Sequence, residues 1–129
     1  MDRRRQIEVD VAGAMVRILK EMTGRGPTEA VAHVFQDMVI VRLKGTLTRE
    51  EQFLARELEG RRLLKQVRAY LREQFSLQMQ QSIENITGAR VTSSHHDIST
   101  RTGEAIEVFI LDRVLAEEMP PPAADSEKF

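Results

Sequence analysis

The sequence predicts an α+β fold: a two-layer sandwich in which a four-stranded antiparallel sheet of two hairpins carries helices on one face. Three observations lead there. Apolar residues recur at three- and four-residue steps through residues 7–22 and 64–86, the spacing of one stripe along a helix. Each stretch ends in a Thr-Gly pair, Thr23-Gly24 and Thr87-Gly88, followed by two short runs of strand character. Helix, strand, strand therefore occurs twice, in the pattern of an α-β-β duplication with a short helix inserted between the copies. Two hairpins and two long helices close most simply as a sheet whose apolar face the helices cover.

The first helix is expected from about Arg4 to Met22, with Ile7, Val11, Met15, Ile18, Leu19 and Met22 on its buried stripe. It stops at Thr23-Gly24-Arg25-Gly26-Pro27, where glycine supplies a left-handed cap and proline cannot continue the hydrogen bonding. The period then changes to two. Residues 30–35 and 38–44 read as strands joined at Gln36-Asp37, with Val39, Val41 and Leu43 on one face. Thr48 and Glu51 have the spacing of a capping box, which starts a short helix through about Leu58. Gly60 breaks or weakens the helix ahead of a longer one, whose stripe is Leu64, Val67, Leu71, Phe75, Met79, Ile83 and Ile86. Strands are expected over 89–98 and 104–111, joined by a loop at 99–103, and in the second of them Ile106, Val108 and Ile110 alternate with Glu107 and Phe109. Residues 1–114 form a single domain in this reading, and 115–129, with Pro120 to Pro122 in a row, form a disordered tail.

Composition excludes several classes. The chain of 129 residues suits one core. Nineteen basic side chains against 20 acidic ones create no field that would gather a polyanion. Arg25, Arg42, Lys44, Arg49, Arg61 and Arg62 are dispersed among acids, and five Phe, one Tyr and no Trp give little surface for stacking bases, so nucleic acid is an unfavoured partner. The absence of cysteine rules out disulfides and thiolate metal sites. The longest apolar run, Met38 to Val41, is far below the ~20 residues of a membrane span. The first residues also lack the apolar core of a signal peptide, and a cytoplasmic location is expected.

The richest chemistry lies in His95-His96-Asp97-Ile98-Ser99-Thr100-Arg101-Thr102-Gly103-Glu104. On a strand His95 and Asp97 share a face while His96 points away, so the cluster offers a metal two ligands where a closed zinc site needs four. His33, in the other hairpin, is a third candidate only if the hairpins bring it close. Ser94 and Ser99 flank the histidines but sit in no nucleophile elbow. The Gly24–Pro27 segment follows a helix instead of opening one and lacks the spacing of a phosphate loop. Asp97 to Gly103 suits a hairpin connection, because Asp, Ser, Thr and Gly bond the nearby backbone and tolerate turn dihedrals. Arg101 at its tip is placed to meet an anion or an acidic partner. No catalytic residue, metal or cofactor is assigned.

Taken in order, Gly24-Arg25-Gly26-Pro27, the stretch from Val41 to Thr48 with the following Glu51, and residues 95–104 resemble the MpsC-type family, a domain of unknown function. That family is named for one subunit of a proposed sodium-translocating, membrane-potential-generating system in bacteria. The resemblance spans about residues 4–112. It implies a small cytoplasmic protein, peripheral at the inner face of the membrane, whose partners include a transporter-like subunit akin to the antiporter-like part of respiratory NADH dehydrogenase, in a system supporting inorganic carbon supply. Matching positions are Gly24, Arg25, Gly26 and Pro27, then Arg42, Lys44, Gly45 and Thr48, then His95, Asp97, Ser99, Thr100, Gly103 and Glu104. His96 stands where the family pattern has a small polar residue. The first functional expectation is a non-enzymatic accessory or regulatory subunit, homodimeric because a dimer would cover sheet edges and an amphipathic helix. The alternative is a ligand or nucleotide sensor with Arg25, Arg42, Lys44 and His95 around a pocket between the hairpin loops. Candidate contacts to ligand or partner are Arg25, Arg42, Lys44, His95, Asp97, Ser99, Thr100, Arg101 and Glu104.

Overall fold

A computed structural model describes residues 2–115. Helix α1 (Arg3–Thr23) begins where the Asp2 carboxylate accepts the Arg5 N–H and ends at Gly24 in the left-handed conformation. Ile7, Val11, Met15 and Ile18 form its buried stripe, as the periodicity predicts. Strands β1 (Glu29–Phe35) and β2 (Met38–Lys44) follow as a hairpin turning at Gln36-Asp37. Beyond them come α2 (Arg49–Leu54), α3 (Leu58–Gln74), α4 (Ser76–Thr87), β3 (Val91–Ile98) and β4 (Ala105–Leu111). The expected disordered tail falls almost wholly outside the described residues. Its first position, Leu115, is fully buried in the core, so the domain reaches at least that far.

The two hairpins join through their second strands, giving a four-stranded antiparallel sheet in the order β1-β2-β4-β3. β2 and β4 run side by side at the centre and β1 and β3 form the edges, the arrangement that two helix-strand-strand units take about a local two-fold axis. Both Thr-Gly helix ends are built alike. The Thr23 hydroxyl donates to the Leu19 carbonyl and the Thr87 hydroxyl to the Ile83 carbonyl, with left-handed Gly24 and Gly88 following. The helices lie on one face, where α1 and α4 pack against Val34, Val39, Val41, Leu43, Phe109 and Leu111. Burying a side chain such as Phe109 contributes about 1.5–3 kcal/mol. Strand β4 is phased with Glu107 and Phe109 toward the helices and Ile106, Val108 and Ile110 away from them.

The long second helix expected over residues 64–86 is two helices. The backbone leaves helical geometry at Phe75 (φ −100°, ψ 4°), and α3 and α4 on either side of it bury separate stripes. On α4 the expected Met79 and Ile83 are buried, whereas on α3 the stripe is Leu64, Arg68 and Arg72, and Val67 faces solvent. Gly60 does not break the helix; it lies in the first turn of α3, and the interruption comes at residues 55–57. A Cβ at Gly60 would sit 1.9 Å from the Leu54 carbonyl oxygen, so glycine is what allows the end of α2 to rest against the start of α3. Gly60→Ala is therefore expected to force α2 off α3 and lower stability by about 1–3 kcal/mol, read as an earlier urea midpoint with unchanged slope.

Candidate functional site

The segments that carried the family resemblance come together at one end of the sheet, around residues 45–48. Gly45 turns the chain at φ +62°, where a Cβ would overlap the Thr28 side chain at 2.3 Å. The Thr46 N–H and hydroxyl both donate to the Gly103 carbonyl, at 3.0 and 2.8 Å. Arg25 donates from Nη1 to the Leu47 carbonyl at 2.7 Å. Thr48 and Glu51 form the reciprocal capping box that starts α2. Arg68, reaching across from α3, donates to the Thr46 carbonyl and to both carboxylate oxygens of Glu51, at 2.7 and 2.8 Å. Burial works against ionisation of Glu51, but its hydrogen bonds from Arg68 and Thr48 and the Arg68 charge outweigh it and hold the carboxyl below its ordinary value.

One turn further along α3, Arg72 lies against Glu107 of β4, with both side chains more than nine-tenths buried. Arg72 donates from Nε to Oε1 of Glu107 at 2.9 Å. Its Nη2 is 2.8 Å from the same oxygen but outside hydrogen-bonding geometry, and has no hydrogen-bond partner among the described residues. Burial pushes the Glu107 carboxyl above its ordinary value despite the adjacent guanidinium. The two arginines border a cavity of about 350 Å³ between α3 and the inner face of the sheet. Met15, Leu19, Leu43 and Met79 supply apolar walls, and His96 and Glu107 border it on the sheet side. Thioether-rich walls adapt to different shapes, and the volume is within the range of small-molecule sites.

The expected contact residues are distributed differently. Arg42 is ion-paired with Glu104, and Lys44 lies 3.9 Å from Glu29. Asp97 accepts from Lys65 Nζ at 2.9 Å and from the Ile98 N–H, and these bonds hold its carboxyl below the ordinary value. Ser99 organises the hairpin connection: its carbonyl accepts the Gly103 N–H and its hydroxyl accepts the Thr102 N–H. Thr100 and Arg101 border an open cleft with Leu47, Gln52, Arg56 and Arg61. His95 is exposed on edge strand β3. His33 is at the opposite edge, in the cross-strand row His33, Ile40, Val108, His95, so about 14 Å separates the two backbones. Arg25, Arg42, Lys44 and His95 are thus not gathered round one pocket. Arg68, Arg72 and Glu107 are the buried polar residues that sequence reasoning passed over. Their signals were the i, i+4 spacing of two arginines and a lone acid inside an apolar strand.

Two measurements follow from these buried charges. Arg72→Leu strands the Glu107 carboxylate and is expected to cost about 3–5 kcal/mol, whereas Arg72→Leu with Glu107→Leu recovers most of that loss in a double-mutant cycle. Because Glu51 has a depressed folded-state pKa, its contribution is present above its ordinary 4.5 and lost as pH falls through the lower folded value. Glu51→Gln keeps a capping side chain but loses the charge, so its melting temperature should fall less steeply on acidification than that of the parent chain.

Comparison with known proteins gives these motifs a family. Residues 3–113 match the family described as "Na+-translocating membrane potential-generating system (MpsC)". The chain is 37% identical over 105 residues to the uncharacterized protein YbcI of Bacillus subtilis (strain 168), covering 81% of this chain and 85% of that one. It is 31% identical over 103 residues to the uncharacterized protein YrhF of the same organism, covering 79% and 84%. No solved structure matches. With the Gly24–Pro27 turn, the 41–48 strand end and the 95–104 hairpin interlocked in one described domain, and the profile match running across nearly all of it, the chain belongs to the MpsC family.

Proposed function

We propose that this chain is a non-enzymatic accessory subunit, working as a homodimer, that docks from the inner face of the membrane onto the membrane-embedded part of a sodium-translocating, potential-generating system. Among the described residues, no helix is long and apolar enough to cross a membrane, so a part in such a system would rest on contact. The observation that carries the reading is an apolar ridge along α2 and α3. Phe53, Leu63, Val67 and Tyr70 are all at least 45% exposed; the last three share the side of α3 away from its buried arginines, and Phe53 of α2 borders the same cleft as Leu63. Arg56 stacks over the Phe53 ring at 4.9 Å. Aromatic residues and arginine on a contiguous apolar surface are the composition of a protein-docking patch.

The test is Val67→Glu with Tyr70→Glu in the native cell. Both positions are exposed, so the variant keeps the parent's circular dichroism spectrum. It is expected to move from the membrane pellet to the supernatant and to lower the sodium-dependent membrane potential as far as deletion of the gene does. A variant that stays membrane-bound and supports the full potential would refute the reading.

A second reading, a sensor of a small molecule, is favoured by one observation: the apolar cavity bordered by Arg72, whose Nη2 lacks a hydrogen-bond partner. A ligand at 100 times its Kd stabilises by about 2.7 kcal/mol. A thermal-shift screen of nucleotides, bicarbonate and phosphate should then give at least one upward shift that Met79→Trp, which fills the cavity, abolishes. A flat screen would count against it.

A further inference from the structure

The face of the sheet turned away from the helices is aliphatic along the whole of β4 and along part of β2. Its aliphatic outward positions are Val31 on β1, Met38 and Ile40 on β2, and Ile106, Val108 and Ile110 on β4, with Arg42 between Val31 and Ile106. In an antiparallel sheet with one solvated face, apolar residues point in and charged ones out. Strand β4 reverses that order: its one charged residue, Glu107, points inward to Arg72, and every outward position between Ala105 and Leu111 is aliphatic. These six side chains are half-buried, yet none belongs to the hydrophobic core or packs against it. Their partial cover comes from one another along the cross-strand rows Val31, Arg42, Ile106 and Ile40, Val108 and Met38, Ile110.

We infer that this outer sheet face is where two copies of the chain meet, sheet against sheet, in a four-layer α-β-β-α dimer. The surface suits another copy more than an unrelated partner. The charges that flank its aliphatic residues are already paired: Arg42, between Val31 and Ile106, with Glu104, and Asp97, opposite Ile106, with Lys65. A second copy brings a surface of the same twist and apolar content, as aligned sheet packing requires. Four strands of about seven residues give a footprint of about 440 Å² per copy, or about 880 Å² for the pair, the size of a weak, reversible dimer. His33 and His95 fall at the two edge strands, a polar rim around an aliphatic centre. Ile40 and Val108, neighbours across the β2-β4 midline, are the residues nearest the two-fold axis. The inference rests on the homodimer of the proposed function and gives it a face, but it does not use the docking ridge on the helical layer, so the mass measurement and the ridge variant can fail separately.

Sedimentation equilibrium of the purified full chain is expected to give twice the 14.7 kDa chain mass. Val108→Lys, which places an unpaired charge in the apolar centre, should weaken association by at least ~100-fold and give the single-chain mass. Leu63→Lys, on the helical ridge, should leave the doubled mass intact. The chain has no cysteine, so Val108→Cys provides a conservative check should the lysine variant fail to fold. It should link two chains with a short thiol crosslinker, since facing sheets lie about 10 Å apart, and Leu63→Cys should not. A single-chain mass at every concentration up to ~100 μM, a Val108→Lys variant that keeps the doubled mass, or equal crosslinking at Leu63 would each overturn the inference.

Discussion

The guanidinium of Arg68 is the contact on which the working end of the molecule depends. Buried between the Glu51 carboxylate and the Thr46 carbonyl, it ties α3 to the start of α2 and to the turn that leaves β2. Thr46 in turn holds the Gly103 carbonyl of the second hairpin connection, and Leu47, one residue on, takes Arg25 from the turn after α1. Four segments distant in sequence thus meet at one guanidinium and the backbone groups beside it. Each buried charge there has a partner, as a low-dielectric site demands, because removing one member would leave the other desolvated and unpaired.

Using arginines where leucines would ordinarily pack has geometric consequences. Arg68 and Arg72 contact the rest of the protein through the ends of long side chains, so the body of α3 stands away from the sheet and a cavity remains between them. Met15, Leu43 and Met79 wall that space where a close-packed helix would have filled it. Because α3 turns Arg68 and Arg72 inward beside Leu64, Leu63, Val67 and Tyr70 are left on the outside, and the ridge results. The cavity and the ridge are therefore two effects of one inversion of the helix.

The central strand β4 shows the same inversion, with Glu107 inside and Ile106, Val108 and Ile110 outside. Arg72 is the reason: it supplies the cation that lets Glu107 occupy the helical side, and strand alternation then fixes the aliphatic residues on the other. The Arg72–Glu107 pair thus joins the two layers whose outer surfaces are apolar, α3 and the sheet.

Residues 2–47 were legible in the sequence almost element by element, because the stripe from Ile7 to Ile18, the Thr23-Gly24 stop and the alternation of Val39, Val41 and Leu43 are local signals with local causes. The Thr48–Glu51 box and the hairpin connection at 99–103 were equally readable, since their partners lie within a few residues. The inward face of α3 was not. Periodicity treats arginine as a solvent residue, and the acids that draw Arg68 and Arg72 inside are 17 and 35 residues away along the chain. The scattering of Arg25, Arg42, Lys44 and His95 had the same origin, because the hairpins join through β2 and β4 and send β1 and β3 to opposite edges. Sequence by itself determined the strands, the first helix, the two-layer class and the family, all of which follow from local pattern and motif order, but not the break at Phe75 that divides α3 from α4. Only the tertiary structure decided which charges are buried and which apolar faces are left open, because that depends on pairing between groups that chain proximity does not bring together.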